Sequence, residues 1–201
     1  MQYKIVFIIL FFVGATVRAL SLAKTPRWWK DKDRTAKNHQ PAAENLLMIP
    51  VFLGMQVTPA VYILSSWLDF ADYSLPLWAG RTAAAVGALS FLLAIWLLWR
   101  SHADLGENFS PELKIKKEHN LITTGIFKTL RHPMYAAHWF WALGQALLLQ
   151  NWIAGPAFLI AFIPLYAARV PREEAMMIEN FGDEYRQLMS STGRVFPKIF
   201  K

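Results

Sequence analysis

The chain has 201 residues, 55% of them hydrophobic and 14% aromatic, with nine tryptophans and a mean hydropathy of +0.25. The apolar residues come in runs of about twenty, the length that crosses a bilayer core of about 30 Å, which excludes an ordinary soluble domain. The net charge of +7 sits in the links between those runs, so positive-inside topology explains it better than nucleic-acid binding. The absence of cysteine excludes disulfides, thiolate metal sites and a thiol nucleophile.

Residues 5–22 form the first run. Only Lys4 precedes it and the cleavage pattern is weak, so a retained membrane helix is expected rather than a signal peptide. Residues 24–44 are polar and mostly basic, with Trp28 and Trp29 where an aromatic belt would place them, and are expected as a cytoplasmic loop. A second span is expected over 46–68, kinked at Pro50 and Pro59. The link 69–76 carries Asp69 and Asp72 but no Lys or Arg, which suits the outer face. A third span over 77–99 should continue as helix to about Gly106, leaving His102 and Asp104 on a solvated helix end.

Residues 100–130 are basic again, which puts them on the side of the first basic loop, and 111–118 reads as a short loop or hairpin. Two close apolar runs, 134–150 and 152–170, meet at Gln150-Asn151, a junction that predicts a tight helical hairpin. Pro171 should open a cytoplasmic helical segment, 171–201, interrupted at Gly182. The expectation is one all-α integral membrane domain, residues 1–201, with about five spans, the N-terminus outside and the C-terminus inside. Its length fits a prokaryotic plasma membrane protein.

The most informative stretch is His119 to Tyr135, a polar passage carrying His and Arg that runs straight into an apolar helix. Pro133 pushes His132 towards an extended conformation and suits the first helical turn. The free N–H groups and dipole of that terminus favour an anion. The far end of the hairpin brings Arg169, Arg172, Glu173 and Glu174 beside Arg131, His132 and Tyr135. Each has a plainer explanation: Glu173 and Glu174 as dipole partners after Pro171, the arginines as topology anchors, His132 as a cap, Tyr135 as belt or core. Charge near lipid is expensive, however, and the combination suggests a site. His39 and His138 carry no such signal. His132 and His138 have the wrong spacing for a helical metal pair, so no metal is expected.

Three pieces carry a resemblance: His119-Asn-Leu-Ile-Thr-Thr-Gly-Ile-Phe127, Arg131-His-Pro-Met-Tyr135, and Arg169-Val-Pro-Arg-Glu-Glu174 followed by Phe181-Gly-Asp-Glu-Tyr185, Arg194 and Pro197. In order and spacing they resemble the isoprenylcysteine carboxyl methyltransferase family and the wider set of membrane methyltransferases that act on phospholipids and thiols. The resemblance covers the C-terminal half and implies a pocket for S-adenosylmethionine, formed on the cytoplasmic side by the 100–133 connector and the C-terminal helix. By motif position His119, Leu121, Ile122, Phe127, His132, Pro133, Met134, Tyr135 and Glu173 would contact the cofactor, and Arg169 would face the methyl acceptor. Arg169 and Glu173 are thereby the catalytic candidates. Phe127 stands where the family more often has Tyr, which removes a hydrogen bond and keeps the stacking surface.

The residue chemistry agrees. Glu173 can pair with an ammonium, the helix start at Pro133 and His132 can take a carboxylate or ribose, and Phe127 and Tyr135 offer an apolar slot that tolerates a sulfonium. A carboxylate acceptor needs no base, only Arg169 to hold it in line. The implied partner is a lipophilic, prenylcysteine-like acceptor entering from the bilayer. The competing readings are a lipid-amine or thiol methyltransferase, an NADPH-dependent membrane sterol-type reductase, and a non-enzymatic scaffold.

Overall fold

The computed structural model describes residues 2–25, 35–38, 42–110, 114–116 and 120–198. The chain is helical there: α1 (Gln2–Lys24), α2 (Ala42–Phe52), α3 (Thr58–Leu64), α4 (Leu77–Leu105), α5 (Pro133–Leu148), α6 (Ala157–Phe181) and α7 (Asp183–Ser191). To this it adds a small antiparallel ribbon, β1 (Thr35–Asn38) with β2 (Lys114–Lys116), which joins the first basic loop to the connector. Trp28, Trp29, His39 and His119 lie outside the described residues.

Among the described residues, three helical stretches are long and apolar enough to cross a membrane: Tyr3–Lys24, Leu46–Leu64 and Leu77–Asn108. Their outward faces carry large bare side chains such as Phe12, Leu64 and Leu89, the surface of a membrane protein rather than a water-soluble one. The second stretch is not one regular helix. Pro59 has no N–H for the carbonyl four residues back, and the backbone between α2 and α3 takes a π-helical turn over Leu53–Val57.

The core forms where α1, α4 and α5 meet. Phe91 packs on Trp141 with ring centroids 4.4 Å apart and edge-on to Phe7 at 5.7 Å. A Cβ on Gly87 would come within 2.9 Å of Leu147, and one on Gly144 within 2.9 Å of the Gly87 carbonyl. Small residues at this crossing let the backbones of α4 and α5 approach. Buried Gln145 donates to the carbonyls of Gly54 (2.9 Å) and Ala154 (2.8 Å), pinning the π-helical turn to the end of the hairpin.

Three expectations change. The hairpin turn is longer than Gln150-Asn151, because α5 stops at Leu148 and α6 starts only at Ala157. Asn151 organises that turn, accepting the N–H groups of Ile153 and Ala154 and donating to the Leu68 carbonyl and Asp72. Second, Pro171 opens no helix: it lies with Pro164 inside α6, which continues to Phe181 with Glu174 and Met176 buried beyond the proline. Glu173 and Glu174 are therefore mid-helix and have no helix start to complement. Third, His102 and Asp104 are not on a solvated end. His102 is buried against Phe109, and Asp104 anchors the connector. Gly106, at φ 50°, does end α4, and Gly182, at φ 55°, separates α6 from α7.

Candidate active site

The site is assembled by the connector and the C-terminal tail. Asp104, paired with Arg100 at 2.5 Å, accepts the Ile126 N–H at 2.8 Å and so fixes the short turn Gly125–Lys128 against α4. Gly125 has φ 60°, and a Cβ there would fall onto the Asp104 carboxylate. Gly125→Ala is expected to cost about 1–3 kcal/mol through backbone strain alone. It should also displace buried Phe127, two residues on, so thermal unfolding and ligand affinity should fall together.

After that turn, residues 129–132 run alongside the tail. Gly193 donates to the Thr129 carbonyl, while Arg131 and His132 donate to the carbonyls of Gly193 and Arg194 at 2.9 and 3.0 Å. Pro133 lies in the first turn of α5, as the sequence predicts, while His132 before it, at φ −127° and ψ 58°, falls short of the extended conformation expected.

The two adjacent glutamates of α6 face different partners. Glu174 is buried and accepts from Arg131 Nε at 2.7 Å, His132 Nε2 at 3.2 Å and Arg194 Nε at 3.0 Å. Arg131 also donates to the Thr192 carbonyl at 2.8 Å. Burial alone would raise the Glu174 pKa, but the hydrogen bonds from His132, Arg194 and Arg131 outweigh it and hold the carboxyl well below the usual carboxylate range. Glu174 thus ties connector, α6 and tail together. Glu173 turns the other way: its side chain is 29% exposed, accepts the Tyr135 hydroxyl at 2.7 Å and lies 3.8 Å from His132 Nδ1.

Glu173 lines a cavity of about 190 Å³. Of the residues expected at the cofactor, Phe127, His132, Pro133, Met134, Tyr135 and Glu173 line it, as does Arg169, the residue expected at the acceptor. Leu121 and Ile122 are half-buried in the preceding segment and do not line it, and His119 is outside the described residues. The walls also include residues that sequence reasoning did not place there. Leu105, Phe109 and Ser110 come from the end of α4 and the connector, Met48 and Val51 from α2, and Arg18 from α1. His138, which the sequence gave no reason to single out, faces the cavity stacked on Phe162 at 5.4 Å. Its Nδ1 lies 2.6 Å from the Met134 carbonyl and must donate, so neutral His138 keeps a lone pair on Nε2. Arg18 did carry a signal: it is the single charged residue between Lys4 and Lys24.

Residues 85–179, which hold most of these groups, match the model of the isoprenylcysteine carboxyl methyltransferase (ICMT) family. Over those residues the chain is similar to that family. Among curated proteins it is similar to the protein-S-isoprenylcysteine O-methyltransferase of Schizosaccharomyces pombe, 34% identical over 115 residues, covering 56% of this chain and 49% of the relative. The Saccharomyces cerevisiae enzyme of the same name is 31% identical over 134 residues, 66% of this chain and 55% of the relative. The chain thus spans about half the length of these relatives. Among solved structures it is similar to a eukaryotic intramembrane Ras methyltransferase ICMT, with 22% identity and a TM-score of 0.48, over 82% of this chain and 55% of that one.

The lining suits S-adenosylmethionine, the donor that the sequence resemblance implies. One wall offers a carboxylate, Glu173, oriented by the Tyr135 hydroxyl for an ammonium. Phe127 and Tyr135 supply aromatic surface for adenine, and the start of α5 supplies N–H groups for a carboxylate or ribose.

Proposed function

We propose that the protein is an S-adenosylmethionine-dependent methyltransferase that esterifies the carboxylate of a lipophilic, prenylcysteine-like acceptor. The observation that carries this reading is that Glu173, oriented by the Tyr135 hydroxyl, lines the same cavity as Arg169. That gives one small space an anion for the donor's ammonium and a cation for the acceptor's carboxylate. The family match and the names of the curated relatives support it. Residues 1–201 would form one domain with five spans, α5 and α6 completing the set, its N-terminus outside and the cavity on the cytoplasmic side.

The bound donor would supply a methyl group on a sulfonium, passing it to the acceptor oxygen as the sulfur keeps the bonding electron pair. The protein's part is positioning. Arg169 would hold the carboxylate, already an anion and needing no base, at about 3–3.5 Å from the methyl carbon. Phe162, Leu165 and Met134 would keep water out. Arg169→Ala is expected to lower kcat/KM for an S-prenylated N-acetylcysteine by about two orders of magnitude, the scale of losing a buried charge partner. S-adenosylhomocysteine binding should change little. Unchanged turnover in that variant would remove Arg169 from the acceptor site.

One observation favours a second reading. The free Nε2 of neutral His138 faces the cavity, where it could take a proton from a thiol or amine acceptor. On that reading turnover would rise with pH as the acceptor deprotonates, whereas a carboxylate acceptor gives a flat profile from about pH 6 upwards.

A further inference from the structure

Arg18 lies six residues before Lys24, about 9 Å along the axis of α1, in a helix otherwise uncharged from Ile5 to Ala23. Charge at that depth is expensive and usually functional. Arg18 is half-buried and lines the same cavity as Arg169, yet it makes no hydrogen bond or ion pair with the described residues. Glu173, the carboxylate that shares the cavity, is instead engaged by Tyr135. Two guanidinium groups facing one low-dielectric space repel unless an anion sits between them.

We propose that Arg18 is a second recognition residue for the acceptor's carboxylate, acting opposite Arg169. This rests on the methyltransferase reading above. The donor-side groups, Phe127, His132, Tyr135 and Glu173, all come from the connector, α5 and α6, whereas Arg18 comes from α1 beside Met48 and Val51 of α2. A separate groove between α1 and α2–α3, farther along α1, is lined by Phe7, Phe11 and Phe12 on one side and Pro59, Ala60 and Ile63 on the other, with Gln56 its polar member. A ligand with its carboxylate at Arg18 and a long apolar chain could reach that groove, and the donor, polar at both ends, could not. Guanidinium groups bind carboxylates through paired N–H donors, so two of them select a carboxylate over its neutral amide.

The test compares binding of an S-prenylated N-acetylcysteine and its C-terminal carboxamide to detergent-solubilised protein saturated with S-adenosylhomocysteine. Wild type should prefer the carboxylate by about 30-fold or more, the scale of one buried charge partner. Arg18→Gln should lose most of that preference, Arg18→Lys should keep part of it, and both should bind S-adenosylhomocysteine as wild type does, which shows that they fold. Full preference in Arg18→Gln overturns the proposal. So does weakened S-adenosylhomocysteine binding in both variants with the preference intact, which would give Arg18 to the donor's carboxylate. If wild type ignores prenylated ligands, palmitate against palmitamide decides. An Arg18-dependent preference there upholds the carboxylate site while the prenylcysteine acceptor falls, and no preference removes both.

Discussion

Glu174→Ala is expected to cost about 3–5 kcal/mol of stability, because it leaves Arg131 and His132, both largely buried, and Arg194 facing a site with no counter-charge. The loss should appear as failure to purify folded protein or as a large fall in the thermal midpoint. The same group predicts a pH dependence. Its folded pKa lies below the ordinary value of 4.5, so its contribution is complete above that value and is lost as pH falls towards the depressed one. The midpoint of the wild type should therefore drop steadily below about pH 4.5. A wild-type stability flat into that range, or a Glu174→Ala protein of normal midpoint, would show that the cluster holds nothing together.

Glu173→Ala, one residue away, should behave in the opposite manner. Its side chain is partly exposed, and it accepts a tyrosine hydroxyl with an imidazole farther off. Stability should change by less than about 1 kcal/mol, in the range of a single hydrogen bond to a surface-accessible group. Binding of S-adenosylhomocysteine should fall by about 30-fold or more, since the ligand's ammonium loses its counter-ion. The two neighbouring variants thus separate holding the pocket from filling it. A Glu173→Ala protein that unfolds like Glu174→Ala would erase that division.

Much of the site is legible in the sequence because it is local. Arg131-His132-Pro133 reads as a fixed approach to a helix start, and Pro133 does open α5. Arg169 and Glu173 sit one helical turn apart, so their sharing a wall follows from helix geometry. Helix positions are legible for the same reason, since runs of about twenty apolar residues announce themselves. What the sequence hides is tertiary. The assignment of Glu173 to the cavity and Glu174 to Arg131 and Arg194 depends on where the tail returns, and residues 192–194 carry no signal for pairing with 129–132. Pro171 misleads because a proline's local effect yields to tertiary burial, here of Glu174 and Met176 beyond it in α6. Asp104 looks like a solvated helix end until the Gly125 turn, far along the chain, is seen to dock on it. Arg18 was the readable omission: a lone charge in an apolar span is informative even where no motif surrounds it. With Arg18 included, the cavity is more basic than the motif residues alone suggest, so a nucleotide phosphate is worth testing as a competitor.

The decisive measurement is calorimetric titration of S-adenosylhomocysteine, and separately of NADPH, into detergent-solubilised wild type and Glu173→Ala. The methyltransferase account predicts micromolar binding of S-adenosylhomocysteine to the wild type, its loss in the variant, and no binding of NADPH to either. Binding of NADPH alone would make the cavity a reductase site, and binding of neither ligand would leave the Arg–Glu groups as scaffold.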